Sequence, residues 1–228
     1  NHNIRSDATV EAERVRQRMQ ARALATQIVT VQDKAPSTGI QEWARHQRFV
    51  LLTKQTRQQR AVLLLAHHQA DQAETVLMRL ARGSGIAGLA AMRALTYRDA
   101  VPVARPVLNW SVDQLRDLLA LLGCDYEDDP SNRNYNFERV RLRHFLRKGA
   151  ACGFPTVAVG QRLGQAMAAL SDHCAAASIP IWEAATDVWP SGQAVIDMSR
   201  LHKLPDSMWR YHARRLIRQV GGNRYGVS

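Results

Sequence analysis

Apolar and polar positions change rhythm along this chain, and each change marks an element. Ala8 to Ala25 reads as a charged amphipathic helix, with Asp7 or Thr9 near its start. Thr26 to Gln32, carrying Ile28, Val29 and Val31, is a short β-rich run. After a loop at Lys34 to Gly39, Ile40 to Lys54 returns to helical period, with Trp43, Gln47 and Val50 on one side. Val62 to Ala66 is uniformly apolar and predicts a buried strand. Asp71 to Ala81 predicts a helix that Gly83 to Gly85 breaks, with Leu77, Leu80 and Ala81 turned toward a core. The order helix, strand, helix, strand, helix suggests a parallel sheet with crossover helices.

Val101 to Val103 and Arg105 to Leu108 read as extended. Ser111 caps a helix running to Leu122 and ended by Gly123; Leu115, Leu118, Leu119 and Leu122 form its apolar stripe. Cys124 to Asn136 is a long polar loop, of a length that is usually functional or mobile inside a compact domain. Phe137 to Arg147 carries Arg139, Arg141, Arg143, His144 and Arg147. At 100° per residue the three alternating arginines fan out, so at least one points away from any shared pocket. Composition shifts at Lys148 to Pro155, which places a domain boundary there: 1–147, then a mainly helical 148–228. In the second part Thr156 to Ala177 reads as a long helix, Ala194 to Asp197 as a strand and Pro205 to Val220 as a basic helix.

The chain has 228 residues and a net charge of +11, with 46% hydrophobic residues, enough for one or two globular domains. A charge this positive fits either a nucleic-acid partner or a solvated basic surface. Cys124, Cys152 and Cys174 form no CxxC pair, and an odd, sparse set fits a reducing cytoplasm. No apolar run approaches the ~20 residues that span a bilayer, so no membrane partner is expected. Oligomeric state is not legible.

The most informative stretch is His67-His68-Gln69-Ala70-Asp71-Gln72-Ala73-Glu74-Thr75. A polar, acid-bearing helix start directly after a strand is where open α/β sheets bind ligands. Asp71, Glu74 and Thr75 fall at i, i+3 and i+4, on one helix face. Two acids so placed can hold a metal ion, grip a cationic substrate or take a proton; taken alone they also read as ordinary first-turn acids at a helix N-terminus. Adjacent His67 and His68 lack the spaced partners of a zinc site. Arg210, Arg214, Arg215 and Arg218 with Trp209 and Tyr211 fit RNA backbone binding or an amphipathic packing helix equally well.

This stretch, with Arg79, Arg82-Gly83-Ser84-Gly85, Gly88-Leu89 and Met92, resembles the central signature of the tRNA(Ile)-lysidine synthetases, members of the PP-loop (N-type ATP pyrophosphatase) group. Further motifs follow in the family's order. Arg105-Pro106 resembles its RP element, and Glu127 to Asn132 followed by Arg139, Arg141 and Arg143 resembles its EDxSN and arginine segment. Upstream, His2-Asn3-Ile4-Arg5 resembles its DHxLR, and Gln41 to Arg48 its Q..AR..R. The family usually has two adjacent acids where this chain has Ala70-Asp71.

The resemblance implies an α/β fold: an incomplete parallel-sheet PP-loop ATPase domain, adenine nucleotide alpha-hydrolase-like, over 1–147, followed by a mainly helical domain that begins a tRNA-binding region. It implies a cytoplasmic enzyme that uses ATP and Mg²⁺ to adenylate the wobble cytidine of an isoleucine tRNA with a CAU anticodon and then joins free L-lysine to it. Asp71, Glu74, Arg139, Arg141 and Arg143 are the implied catalytic residues, with Asp71 and Glu74 also holding lysine. His2, Arg45, His67 and His68 are implied at ATP, and Arg82, Arg105, Arg133, Arg214 and Arg215 at tRNA; no metal-ligating residue set is implied. The alternatives are a non-catalytic RNA-binding relative and a PP-loop tRNA thiolase. The family's SGGxDS phosphate loop lies upstream of its DHxLR element and does not occur among these 228 residues. The chain as it stands is therefore expected to lack adenylation and to be unstable alone.

Overall fold

The computed structural model describes residues 1–2, 4, 8–126, 134–154, 156–189, 191, 193–201 and 204–221, the last stretch by backbone alone at 207, 214, 215 and 218–221. These fall into two compact units: residues 1–66 with 93–108, and residues 67–92 with 109–228.

In the first unit, helices α1 (Ala8–Gln20) and α2 (Ile40–Gln58) accompany a sheet of β1 (Leu63–Leu64), β2 (Leu95–Arg98) and β3 (Val101–Ala104). The sheet order is β1-β3-β2. Leu63 lies opposite Val103 in the parallel β1–β3 pair, and β2 runs antiparallel to β3 on its other side. Val101 and Val103 alternate inward and pack with Leu63 under Phe49 and Leu52 of α2. Pro102 sits in the middle strand, yet pairing with β1 begins only at Val103, so its missing N–H leaves no ladder bond unmade on that side.

Several sequence expectations change here. Thr26 to Gln32 forms no strand; Val31 N–H instead donates to Asn1 O at 2.9 Å, and the Asn1 amine to Val29 O at 2.8 Å. The run 62–66 contributes only two strand residues, because β3 pairs with no more of it. Strand β2 has no counterpart in the sequence reading: the β2–β3 turn is Asp99-Ala100, both at positive φ (51° and 62°) but without the glycine that usually marks such a hairpin. Arg105 to Leu108 turns rather than extends. The predicted helix at 8–25 ends at Gln20, where Ala23 takes a φ of 56° and Leu24 N–H closes back onto Met19 O.

In the second unit, α3 (Gln69–Ala81) and α4 (Ile86–Leu89) pack on the long α7 (Thr156–Ala184). Helix α5 (Val112–Leu121) and helix α6 (Glu138–Ala151) precede α7, and β4 (Thr186–Val188), β5 (Ala194–Ile196), α8 (Met198–Leu201) and α9 (Asp206–Gly221) follow it. The buried side of α3 is Gln72, Ala73, Glu74, Thr75 and Val76, whereas Leu80 is half exposed. Leu80 and Ala81 are exposed, contrary to the expectation, although Leu80 lies on the same side of α3 as Ala73 and Val76. At Ala73 and Val76, α3 and α7 approach closely. A Cβ on Gly160 would sit 3.0 Å from Ala73 Cα, and one on Gly164 3.0 Å from Val76 Cγ2. Gly160→Leu is expected to wedge α3 from α7 and to lower the unfolding free energy by about 1–3 kcal/mol, seen as a lower urea midpoint.

The predicted α5 cap is present: Ser111 Oγ accepts the Gln114 N–H at 3.1 Å, and Gln114 Oε1 accepts the Ser111 N–H at 2.8 Å. Its leucine stripe is only half-covered, and Leu122 is exposed. A second small core joins Ala185, Leu201 and Leu204 with Ile181 and Trp182. Strand β4 is silent in the sequence because Thr186-Asp187-Val188 is too short and polar to show a period.

Candidate active site

The chain leaves β1 and passes through residues 65–68 into α3, whose N-cap is His68 in extended backbone. Asp71 stands at the third helical position. Its Oδ2 accepts the His68 N–H at 3.0 Å and lies 3.5 Å from His68 Nε2. This holds one edge of the carboxylate at the helix start, as half of a capping box. Both of these contacts fall on Oδ2 rather than Oδ1, and the His68 ring keeps a buried Nδ1 without a hydrogen-bond partner. Thr75, on the same face, turns its hydroxyl back to Asp71 O at 2.7 Å and stiffens the first turn.

Glu74 is fully buried, at 0% exposure. A lone carboxylate there would be costly, and α6 compensates it. Arg143 Nε donates to Glu74 Oε1 at 2.8 Å, and Arg139 Nη1 lies 3.9 Å from Oε2. Oε2 is otherwise buried without a hydrogen-bond partner. Arg139 and Arg143 are four apart and share one face of α6. Arg141 lies off that face, where Nη1 donates to Tyr135 O at 3.0 Å and Asn136 O at 3.1 Å and secures the turn before the helix. The fan of three arginines thus resolves into two at the acid and one at the loop. Burial works against the Arg143 cation most strongly, but the Glu74 hydrogen bond and charge and the Asp71 charge outweigh it and raise its pKa.

The loop after α3 is tied down by two side chains of that helix. Gln72 donates to Met92 O at 2.8 Å and accepts the Met92 N–H at 2.9 Å. Arg79 Nη1 donates to Gly88 O at 2.5 Å and Ala91 O at 3.1 Å. Sequence reasoning assigns no role to either. Their seven-residue separation on one helix face is the available signal.

The remaining expected site residues fall in both units. His2 and Arg45 belong to the first unit, and His67 and His68 to the second. His2 Nε2 faces Arg48, with Nη2 at 3.0 Å. Arg45 stacks its guanidinium 5.4 Å from the Phe49 ring centre. Arg105 spends Nη1 on Arg93 O at 2.9 Å and Thr96 Oγ1 at 3.0 Å, bracing the base of the β2–β3 hairpin, and burial lowers its pKa. Arg82 pairs with Glu138 at 2.7 Å on the surface. Arg133 and the side chains of Arg214 and Arg215 lie outside the described residues, as does the acidic run 127–129. Cys124, Cys152 and Cys174 are free thiols, and among the described residues no three His, Cys, Asp or Glu side chains gather as a metal site. No helix among them is long and apolar enough to cross a membrane.

The His2 ring carries a pH prediction. Burial, then Arg48, then the N-terminal amine hold its pKa below 6.5. Below about pH 6.5 the unfolded chain takes up a proton that the folded ring refuses, so the unfolded state binds more protons there. Stability is therefore kept at higher pH and falls as pH drops from about 6.5 toward the lower folded value. His2→Gln is expected to flatten that fall in urea midpoints taken between pH 7 and pH 5.

Comparison with known proteins places this geometry. A family model described as a PP-loop domain matches residues 1–150. A tRNA(Ile)-lysidine synthase from a Bradyrhizobium species is 42% identical over 153 residues, which is 67% of this chain and 43% of that protein. Two others align over 227 residues: one from Methylobacterium nodulans at 35% identity (97% of this chain, 66% of that protein) and one from Ruegeria pomeroyi at 31% (98% and 53%). The chain spans about half the length of the curated relatives it matches. Among solved structures, the U34-tRNA thiolase NcsA from Methanococcus maripaludis with its [4Fe-4S] cluster shares the fold, with a TM-score of 0.60 at 15% identity over 74% of this chain and 60% of that one. Matched over residues 1–150 by the PP-loop model and similar through most of its length to tRNA(Ile)-lysidine synthases, the chain belongs to the PP-loop family.

Proposed function

We propose that the protein serves lysidine formation: ATP-dependent joining of free L-lysine to the wobble cytidine of an isoleucine tRNA with a CAU anticodon, in the cytoplasm. The observation that carries this reading is the fully buried Glu74 joined to Arg143, with Arg139 beside it, inside the segment shared with the synthases. In the first half-reaction the cytosine 2-carbonyl oxygen attacks the α-phosphorus of ATP. The bond to the β-phosphate oxygen breaks and pyrophosphate leaves. In the second, the lysine amine attacks C2, AMP departs with the former carbonyl oxygen, and the amine gives up a proton.

The two acids divide the work. Glu74 already faces two guanidinium groups, so a third cation there would be repelled; its part is to fix Arg143 and Arg139 on one helix face. Held so, planar and permanently charged, they suit the phosphate oxygens on which charge builds. Asp71 makes its His68 contacts through Oδ2, which leaves Oδ1 outside them, and it is the acid for the lysine amine or for Mg²⁺. Mg²⁺ fits such a site because it takes one or two carboxylates with phosphate and water oxygens rather than a full protein cage. His67 and His68, at the entry to α3, are proposed at the nucleotide with His2 and Arg45, and Arg82, Arg105, Arg133, Arg214 and Arg215 at tRNA. The catalytic part is proposed to run to residue 147, with the helical part from 148 onward serving tRNA.

The test is labelled-lysine incorporation into an unmodified isoleucine tRNA transcript with ATP and Mg²⁺. It uses the 228-residue chain, and the same chain fused behind the segment that precedes the matched region in the Bradyrhizobium synthase. Incorporation by the fusion, dependent on ATP and absent with a CAU→GAU anticodon, is expected. A fusion that binds the tRNA but never incorporates lysine contradicts the reading.

A further inference from the structure

A cleft in the second unit is lined by neither Glu74, Arg139 nor Arg143. Its walls are the Ser84–Gly88 loop with α4, the middle of α7 at Ser171, Cys174 and Ala175, and the start of α9 at Asp206, Met208, Arg210 and Tyr211. Its volume is about 1140 Å³. Small-molecule pockets span roughly 300–1,000 Å³, so this cleft is roomy enough for a piece of a polymer. Its charged residues are two cations, Arg79 and Arg210, and one acid, Asp206, which lies 3.9 Å from Arg210 and is itself largely exposed. Arg79 has one nitrogen committed to the Gly88 and Ala91 carbonyls and, among the described residues, no carboxylate partner. Burial and the neighbouring Arg139 pull its pKa down, which is the state of a cation lacking an anion. Two serines, a tyrosine ring and the apolar Ile86, Ala87, Ala175 and Met208 make up most of the rest.

We propose that this cleft seats a short single-stranded RNA segment, with phosphates against Arg79 and Arg210 and a base against Tyr211. The inference rests on the tRNA reading above and adds a strand-binding site to it. Bidentate guanidinium groups suit phosphate oxygens, and an aromatic ring accepts any base face, so binding here is tolerant of sequence. The net charge of +11 favours the same polyanion. Gly85 lines the cleft, and a Cβ added there meets nothing within 4 Å, so a large side chain at 85 has room to start into it.

The experiment is fluorescence anisotropy of the full 228-residue chain with a labelled 12-nucleotide single-stranded RNA at several salt concentrations. Arg210→Ala is expected to weaken binding about fivefold and to reduce the salt slope by about one. Gly85→Trp is expected to weaken it at least as much, and thermal melts of both variants should match the parent. Parent-like binding by both folded variants overturns the cleft as the site. So does displacement of the RNA by polyglutamate at equal charge concentration, which would assign the cleft to an acidic peptide. Lysine incorporation by the fused chain is scored separately, so a failed cleft leaves the lysidine reading standing and a failed lysidine reading leaves the cleft measurable.

Discussion

Glu74→Ala is expected to bring lysine incorporation by the fused chain to background and to destabilise the fold by about 3 kcal/mol, the low end for breaking a buried ion pair. The low end applies because Arg143 is 28% exposed and can recover water once the acid is gone, whereas Glu74 itself is at 0%. The activity loss has a different origin. Without the carboxylate the Arg143 guanidinium loses the Nε hydrogen bond that sets its angle against α3, and preorganised donors lose most of their value when they must be oriented during reaction. Glu74→Gln separates the two effects. The amide oxygen can still accept from Arg143 Nε, so urea unfolding should change by only about 1–2 kcal/mol, yet incorporation should drop roughly a hundredfold. An active Glu74→Gln variant, or one that loses stability and activity in proportion, would show that the acid only supports packing.

Asp71→Asn should act on lysine rather than on the fold. The side-chain amide oxygen of that variant can still accept the His68 N–H, so the helix start survives. What disappears is the charge facing an ammonium group. Removing one partner of a buried charge pair costs about 2–5 kcal/mol, so the KM for lysine is expected to rise roughly thirtyfold or more. The KM for ATP should change far less. Steady-state rates with lysine varied at saturating ATP and tRNA make the check. A lysine KM that holds steady while kcat falls would move Asp71 from the amine to the metal or phosphates.

Much of this site was legible in the sequence because its determinants are local. The spacing of Asp71, Glu74 and Thr75 requires one helix face, and the structure has it. The 100° fan of Arg139, Arg141 and Arg143 requires that they separate, and Arg141 does leave the other two. The caps at Ser111 and the break at Gly83 are equally local. What stayed hidden depends on distant partners. That Glu74 is compensated by α6, and that α3 turns Ala73 and Val76 toward Gly160 and Gly164, depends on residues about 70 to 90 positions away. The β2–β3 hairpin stayed hidden for a chemical reason, since Asp99-Ala100 adopts a turn its residue types rarely signal. Arg105 looks like a free basic residue beside a proline; only pairing of β2 with β3 shows it spent on Thr96 and Arg93.

The central claim is that Glu74 gathers Arg143 and Arg139 for the reaction and that Arg141 belongs to the loop. The most direct measurement is the single-turnover rate of lysine incorporation by the fused chain carrying Arg143→Ala or Arg141→Ala. The account predicts a loss of roughly a hundredfold or more for Arg143→Ala, and a rate within about fivefold of the parent for Arg141→Ala, which removes only exposed guanidinium hydrogen bonds to the Tyr135 and Asn136 carbonyls. Equal losses, or a larger loss at Arg141, would contradict it.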